Sequence, residues 1–185
     1  MHFRFVVVLG LAALCAVSCS NSKTGSQTAT EGPDSTAAMT PVQRGEYLVT
    51  VTGCHDCHTP GALYGAPDMK RQLSGSELGW QGPWGVSYAR NLTPDQTTGL
   101  GSWTDEEILN AMQKGVKKDG SPIAPPMPWP DFAHLTRADA MAIVAYLRSI
   151  PPIPHQMPAP VAPGGHVGGS IITFPPPSEW DKPRG

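Results

Sequence analysis

The sequence lacks long runs of charge and long apolar runs. Only 15% of its 185 residues are charged, the formal net charge is -2, and no basic run is present. Since proteins that bind nucleic acid need clustered Lys and Arg, we expect no nucleic-acid partner. The apolar segment at residues 5–17 is too short to span a bilayer comfortably. We therefore expect no transmembrane helix in the mature protein.

Cysteine is also scarce. The sequence contains four, at Cys15, Cys19, Cys54 and Cys57. Cys15 and Cys19 lie near the N-terminus and the other two in a short motif, so none remains for a structural disulfide. Proline and glycine are abundant, at 21 and 20 residues. They gather in loops and near the C-terminus, which indicates that the compact part is smaller than the chain.

The leader, residues 1–18, is predicted to be an export signal, because Arg4 precedes the apolar run. The run ends at Ala16-Val17-Ser18-Cys19. This resembles a bacterial lipoprotein processing site, although Ala16 stands where Leu is usual. We predict that Cys19 carries lipid and anchors the exported protein on the periplasmic side of a membrane, with residues 19–39 as a flexible tether. The alternative is ordinary signal cleavage, which leaves Cys19 as an incidental thiol.

The motif Cys54-His55-Asp56-Cys57-His58 reads C-x-x-C-H, the pattern of haem attachment. Two thiols at this spacing can add to the two vinyl groups on one porphyrin edge. The histidine that follows becomes the proximal iron ligand. A dithiol redox motif is one alternative, but it expects a βαβ surrounding. Half of a zinc site is another, but zinc usually needs four Cys or His ligands.

Three helices are predicted around this motif, in a domain at residues 40–153. Thr40 caps the first, which covers residues 42–50 and leads straight into Cys54. Gly45 lies in its middle and suggests close packing, with the last helix as the candidate partner. The second helix runs from Asp105 to about Lys114, and the third from Thr136 to Pro151. The third presents a buried stripe formed by Ala140, Ile143, Val144 and Leu147.

Loops and a tail make up the rest. Residues 59–102 are predicted to be mostly loop, with Trp80, Trp84 and Tyr88 available to pack on a haem. Residues 154–185 form a Pro/Gly-rich tail that cannot build its own core. Four apolar side chains in it could attach it to the domain: Ile171, Ile172, Phe174 and Trp180.

Met127 is the favoured ligand for the far side of the iron. It lies in Pro125-Pro126-Met127-Pro128-Trp129, where prolines stiffen the loop and reduce the entropy lost on binding. Met112 and Met141 fall on helix faces, where methionine usually fills the core. Met69 has a solvated setting, and Met157 lies in a tail predicted to be mobile.

Over residues 40–155 the chain resembles the class I c-type cytochromes, both single-haem periplasmic proteins and domains of dehydrogenase cytochrome subunits. The resemblance rests on the C-x-x-C-H motif with its flanks and on four further segments: Arg44-Gly45-Glu46-Tyr47-Leu48, Asn91-Leu92-Thr93-Pro94-Asp95, Pro126-Met127-Pro128-Trp129, and the run from Gly99 to Glu107. The final helix, from Ala142 to Arg148, completes it.

The resemblance implies an all-α cytochrome c fold, with three to five short helices and long loops around one covalent haem c. The first and last helices would cross, so that Gly45 and Tyr47 meet Tyr146. Trp103 matches a tryptophan whose indole N–H often donates to a haem propionate. The alternative for Trp103 is a core aromatic beside a helix cap.

The function that follows is electron transfer, with Cys54 and Cys57 attaching the haem and with His58 and Met127 on the iron. Such a carrier does no substrate chemistry itself, because both iron faces are occupied. Its expected partners are a dehydrogenase, of which it could be the electron-transfer subunit, and a terminal oxidase. Two alternatives stay open. One is a haem c enzyme or gas sensor with a labile distal ligand, and the other is a dithiol module without haem.

Overall fold

The structure is a computed structural model that describes residues 39–179. The predicted leader, nearly all of the predicted tether with Cys19, and Trp180 lie outside this range. The described chain contains five α-helices: α1 Pro41–Val51, α2 Cys54–His58, α3 Asp105–Lys114, α4 Trp129–Phe132 and α5 Arg137–Ser149. It also contains three strands: β1 Gly79–Gly82, β2 Gly85–Tyr88 and β3 Ile171–Thr173.

The three predicted helices form where their capping residues place them. The Thr40 hydroxyl accepts from the Gln43 N–H at 3.3 Å, while the Gln43 side chain accepts from the Thr40 N–H at 3.0 Å. The same reciprocal pair, Thr104 with Glu107, begins α3. Each box satisfies backbone donors that the first helical turn leaves unpaired. Thr136 caps α5 by accepting from the backbone N–H of Asp139.

Helices α1 and α5 cross at Gly45. A Cβ atom at this position would lie 1.9 Å from the Ala142 carbonyl oxygen and 2.7 Å from Tyr146 Cβ. Only a residue without a side chain permits this approach, so the close packing expected at Gly45 is confirmed. Tyr47 remains 43% exposed, and its ring lies 5.5 Å from the Arg44 guanidinium carbon.

Two groups of buried side chains make up the helical core. The first joins α1 to α5 and consists of Leu48, Val49, Leu73, Ala142, Ile143, Tyr146 and Leu147. The second joins α3 to α5 and consists of Ile108, Leu109, Ala140 and Val144. The predicted stripe on α5 is therefore buried as expected, and it serves both groups.

The expectation of an all-α fold holds only in part, because a small sheet lies within the predicted loop. Strand β1 pairs with β2 in an antiparallel hairpin and with β3 in parallel, in the order β2-β1-β3. Two aromatic side chains of the hairpin contact the C-terminal tail. Phe174 packs on Trp80 and Trp84, with ring centroids 6.2 and 5.5 Å apart.

The sequence predicted that the first helix leads straight into the cysteine motif. This prediction is wrong, because the two are separate helices. Gly53 adopts a left-handed conformation with φ of +70° and separates α1 from α2. Glycine takes this conformation without the steric cost that a Cβ atom imposes. The motif consequently forms a separate short helix. Between residues 39 and 179, no helix combines the length and the apolar character that a bilayer crossing requires.

Candidate haem site

Helix α2 presents the two thiols and the histidine of the motif within five residues. Cys54 is partly buried against the core that joins α1 to α5. Its sulfur lies 3.4 Å from the Thr52 hydroxyl. Cys57 is half-buried, and both cysteines are free thiols. The donor set for a covalent haem is therefore present on one short element: two thiols for the thioether bonds and one imidazole for the iron.

The environment of the thiols does not match a dithiol redox centre. Burial is the main cause that raises the pKa of Cys54 and of Cys57, and the nearby Asp56 carboxylate acts in the same direction. Reactive dithiols instead have lowered pKa values, which increase the thiolate fraction. A zinc site is not supported either. Across residues 39–179, no group of three or more His, Cys, Asp and Glu side chains is arranged to hold a metal ion.

His58 is held at both its ring and its backbone. Its ring Nδ1 lies 2.6 Å from the carbonyl oxygen of Arg90. Since a carbonyl only accepts, Nδ1 carries the proton and donates, which leaves the lone pair on Nε2 for a metal. Its own carbonyl oxygen accepts from the Gly75 N–H at 2.8 Å. Burial lowers the pKa of His58 and so favours the neutral form that binds iron.

Met127 lies in a loop that is attached at both ends. The Ser87 hydroxyl of β2 donates to the Pro125 carbonyl at 2.5 Å. On the other side, the Trp129 N–H donates to the Met127 carbonyl at 2.9 Å, and α4 begins there. The Trp129 indole lies against Gly115, where a Cβ atom would be only 2.5 Å from the ring. Met127 is half-buried in this loop, and its assignment as the distal ligand stays a prediction.

The other candidate methionines differ sharply in burial. Met69 is 60% exposed, which agrees with its expected solvated setting. Met157 is only 4% exposed, although the sequence placed it in a mobile tail. Its sulfur lies 2.7 Å from where a Gly75 Cβ atom would be. Gly75 donates to the backbone carbonyl of His58, so Met157 packs close to the segment that holds this histidine.

Trp103 is half-buried beside the core that joins α3 to α5. Arg148 of α5 fixes its backbone, since the guanidinium donates to the Trp103 carbonyl oxygen and to Asp105. The same guanidinium donates to the Leu100 carbonyl at 2.8 Å. These contacts fit the core alternative for Trp103, and the role of its indole toward a haem propionate remains a prediction.

Arg90 and Gly75 are the site residues that sequence reasoning missed. Both act through backbone atoms: the Arg90 carbonyl accepts from the His58 ring, and the Gly75 N–H donates to the His58 carbonyl. Since any residue carries these groups, side-chain identity at 90 gives no signal. A weak signal exists at 75, where φ of +95° requires glycine.

Comparison with known proteins agrees with this geometry. A family model described as Cytochrome c matches residues 42–151. This is more than half of the chain, and the protein belongs to the cytochrome c family. The family has a helical fold and carries covalently bound haem c for electron transfer. The residues of α2, with His58 free at Nε2, fit that cofactor.

Several relatives are cytochrome subunits of dehydrogenases. The cytochrome c subunit of the quinone alcohol dehydrogenase of Gluconobacter oxydans is 38% identical over 120 residues, which are 64% of this chain and 23% of that protein. The fructose dehydrogenase cytochrome subunit of Gluconobacter japonicus is 30% identical over 118 residues, with coverages of 64% and 23%. A diheme cytochrome of Cereibacter sphaeroides is 30% identical over 125 residues, covering 65% and 40%. The chain thus spans less than half the length of each.

Proposed function

We propose that this protein is a single-haem electron carrier with His58 and Met127 on the iron. The observation that carries the proposal is the 2.6 Å hydrogen bond from the His58 ring to the Arg90 carbonyl. This hydrogen bond fixes the ring and leaves Nε2 as the nitrogen that can bind the metal. The histidine itself directly follows the second of two free thiols. A bound haem c supplies a one-electron couple. The chain's own residues hold it covalently and orient the imidazole.

Met127 as the distal ligand is supported by how its loop is built. Attachment to Ser87 on one side and to α4 on the other restricts where the sulfur can move. A thioether ligand favours the ferrous state and gives a carrier a high potential. With both axial positions filled, the iron offers no place for a substrate, so we propose a carrier rather than an enzyme.

The partner we propose is a dehydrogenase whose electrons the protein passes toward a terminal oxidase. Support comes from relatives that are cytochrome subunits of dehydrogenases acting on alcohol and fructose. This sequence contains one C-x-x-C-H motif, so we propose one haem per chain. We further propose that the protein is exported and anchored on the periplasmic side through lipid on Cys19, a residue outside the described range.

The test is the weak far-red absorption that a methionine–iron bond gives to ferric haem c. It should be present in the wild-type protein and lost in Met127→Ala, which should also bind carbon monoxide when reduced. Met69→Ala is the matched control, because this methionine is 60% exposed, and it should keep the band. All variants need expression in cells that mature c-type cytochromes.

Three results would contradict the proposal. If the band survives in Met127→Ala, another methionine is the ligand. If the reduced wild-type protein binds carbon monoxide rapidly and completely, its distal position is open, and the gas-binding or enzymatic alternative takes its place. A colourless product from cells that mature other c-type cytochromes would exclude haem altogether.

A further inference from the structure

A segment beyond the last helix lies against the loop that supports His58. We call residues 153–161 the strap. Three hydrogen-bonded contacts join it to residues 86–91. The Asn91 side chain donates to the Ile153 carbonyl at 2.8 Å, and the Arg90 guanidinium donates to the Pro158 carbonyl at 3.0 Å. Val86 and Val161 exchange two backbone hydrogen bonds, at 2.8 and 2.9 Å.

These contacts lie on both sides of the backbone carbonyl that accepts a hydrogen bond from the His58 ring. Arg90 supplies its carbonyl to Nδ1 and its side chain to the strap. Asn91, the next residue, is 2% exposed, and its amide is satisfied by Ile153 together with Thr98. A buried amide with all partners in place holds the backbone on which it sits. The strap therefore limits the movement of the Arg90 carbonyl.

Met157 fills the centre of this arrangement. Its sulfur would lie 2.7 Å from a Cβ atom at Gly75, and the Ala89 carbonyl would lie 2.9 Å from the same point. Gly75 donates to the His58 carbonyl, while the Ser76 N–H donates to the Ala89 carbonyl at 3.1 Å. Met157 thus packs where the backbone of His58 and the residue before Arg90 come together. Removing its side chain would leave a cavity at this junction.

His155 adds another attachment of the strap. Its Nδ1 lies 3.0 Å from the Ser74 hydroxyl and its Nε2 lies 2.8 Å from a Glu77 carboxylate oxygen. A serine, histidine and carboxylate in contact resemble a hydrolytic triad. Ser74 is 0% exposed, however, and its hydroxyl donates to the Arg71 carbonyl at 2.8 Å. No substrate can reach that hydroxyl, so these contacts serve to hold the strap.

We propose that the strap, with Met157 at its centre, is a positioning device for the proximal ligand and sets how strongly the His58 ring donates to the Arg90 carbonyl. A strong hydrogen bond at Nδ1 makes the imidazole a better electron donor at Nε2. Better donation stabilises ferric iron and lowers the reduction potential. Loosening the strap raises the potential. This inference rests on the proposed ligation of iron by His58.

The experiment compares Met157→Ala, Met157→Val and Met157→Leu in the haem-loaded protein. Met157→Ala should raise the reduction potential and speed the exchange of the His58 Nδ1 proton, observed by nuclear magnetic resonance. Met157→Val should give intermediate changes, which keeps the test available if the alanine variant folds poorly. Met157→Leu restores the volume without sulfur and should match the wild type. Met69→Ala, an exposed methionine, is the control.

The outcomes separate the strap from the proposed function. If the alanine and valine variants melt at lower temperature but keep the wild-type potential and proton exchange, the strap only stabilises the fold and the proposal is overturned. If leucine shifts both quantities as alanine does, packing is not the cause and the proposal is also overturned. If the far-red band is lost in the Met157 variants but kept in Met127→Ala, Met157 is an iron ligand. This result refutes both the strap proposal and the proposed function. A wild-type protein without a low-spin, redox-active haem would refute the proposed function first.

Discussion

Gly45→Ala should destabilise the protein, although alanine favours helices. A methyl group at this position would lie 1.9 Å from the Ala142 carbonyl oxygen and 2.6 Å from the carbonyl carbon. Carbon atoms in ordinary contact are ~3.5–4.0 Å apart. Both contacts are with backbone, so no change of side-chain rotamer relieves them. Helices α1 and α5 must separate, which opens the core around Val49 and Ile143.

The magnitude follows from two opposing effects. Overpacking costs about 1–3 kcal/mol and sometimes more, and the backbone contact places this variant at the upper end. Replacing glycine by alanine within a helix returns about 1 kcal/mol. The net loss is then about 2 kcal/mol. For a domain of this size it corresponds to a fall in melting temperature of about 8 °C.

Thermal unfolding of the ferric, haem-loaded protein, followed by circular dichroism, measures this loss. Gly168→Ala is the matched control, because a Cβ atom there meets nothing within 4 Å and its φ is not positive. It should leave the melting temperature unchanged. If Gly45→Ala melts at or above the wild-type temperature, helix propensity outweighs packing. The close crossing of α1 and α5 would then be refuted.

Three further predictions concern a helix cap, an ion pair and the membrane anchor. Thr104→Ala removes the capping box of α3 and should cost about 1 kcal/mol, measured by chemical unfolding. Asp139 accepts from Arg44 at 2.9 Å, which lowers its pKa below the ordinary 3.8. The stability that the ionised Asp139 side chain adds to the fold is therefore complete above the ordinary pKa and fades as the pH falls through the lowered pKa. The acid unfolding of Asp139→Asn should lack this contribution. Cys19→Ser should release the protein from membranes, and a variant that still pellets after a high-salt wash would contradict lipid anchoring.

Sequence reasoning succeeded where the signal is local. Thr40, Thr104 and Thr136 each begin a helix because a hydroxyl can satisfy N–H groups two or three residues away. The spacing of Cys54, Cys57 and His58 likewise predicts their chemistry, and the structure places all three on the short helix α2. Gly45 could be interpreted because a glycine inside a helix carries a cost that close packing explains.

The strands could not be predicted in this way. Strand β1 contains two glycines in four residues, Gly79 and Gly82, which weaken any strand pattern. Its pairing with β3 joins positions about ninety residues apart, such as Gly79 with Ile171. Parallel pairing of this kind depends on the rest of the fold and not on neighbouring residues. The burial of Met157 was missed for the same reason, since its contacts lie on the distant loop at Gly75.

The proposed haem site draws on two parts of the chain. The family match ends at residue 151, and both buried groups of the helical core lie within it. The strap lies just beyond that match, yet it bonds Arg90, which supplies the acceptor for His58, and the next residue, Asn91. A chain cut after α5 would keep the thiols, the imidazole and the Met127 loop. It would lose the contacts of Ile153, Met157 and Pro158, which hold the Arg90 carbonyl. On the proposed ligation and strap role, haem attachment and the tuning of its potential are separable properties, the first set by local sequence and the second by a segment distant in sequence.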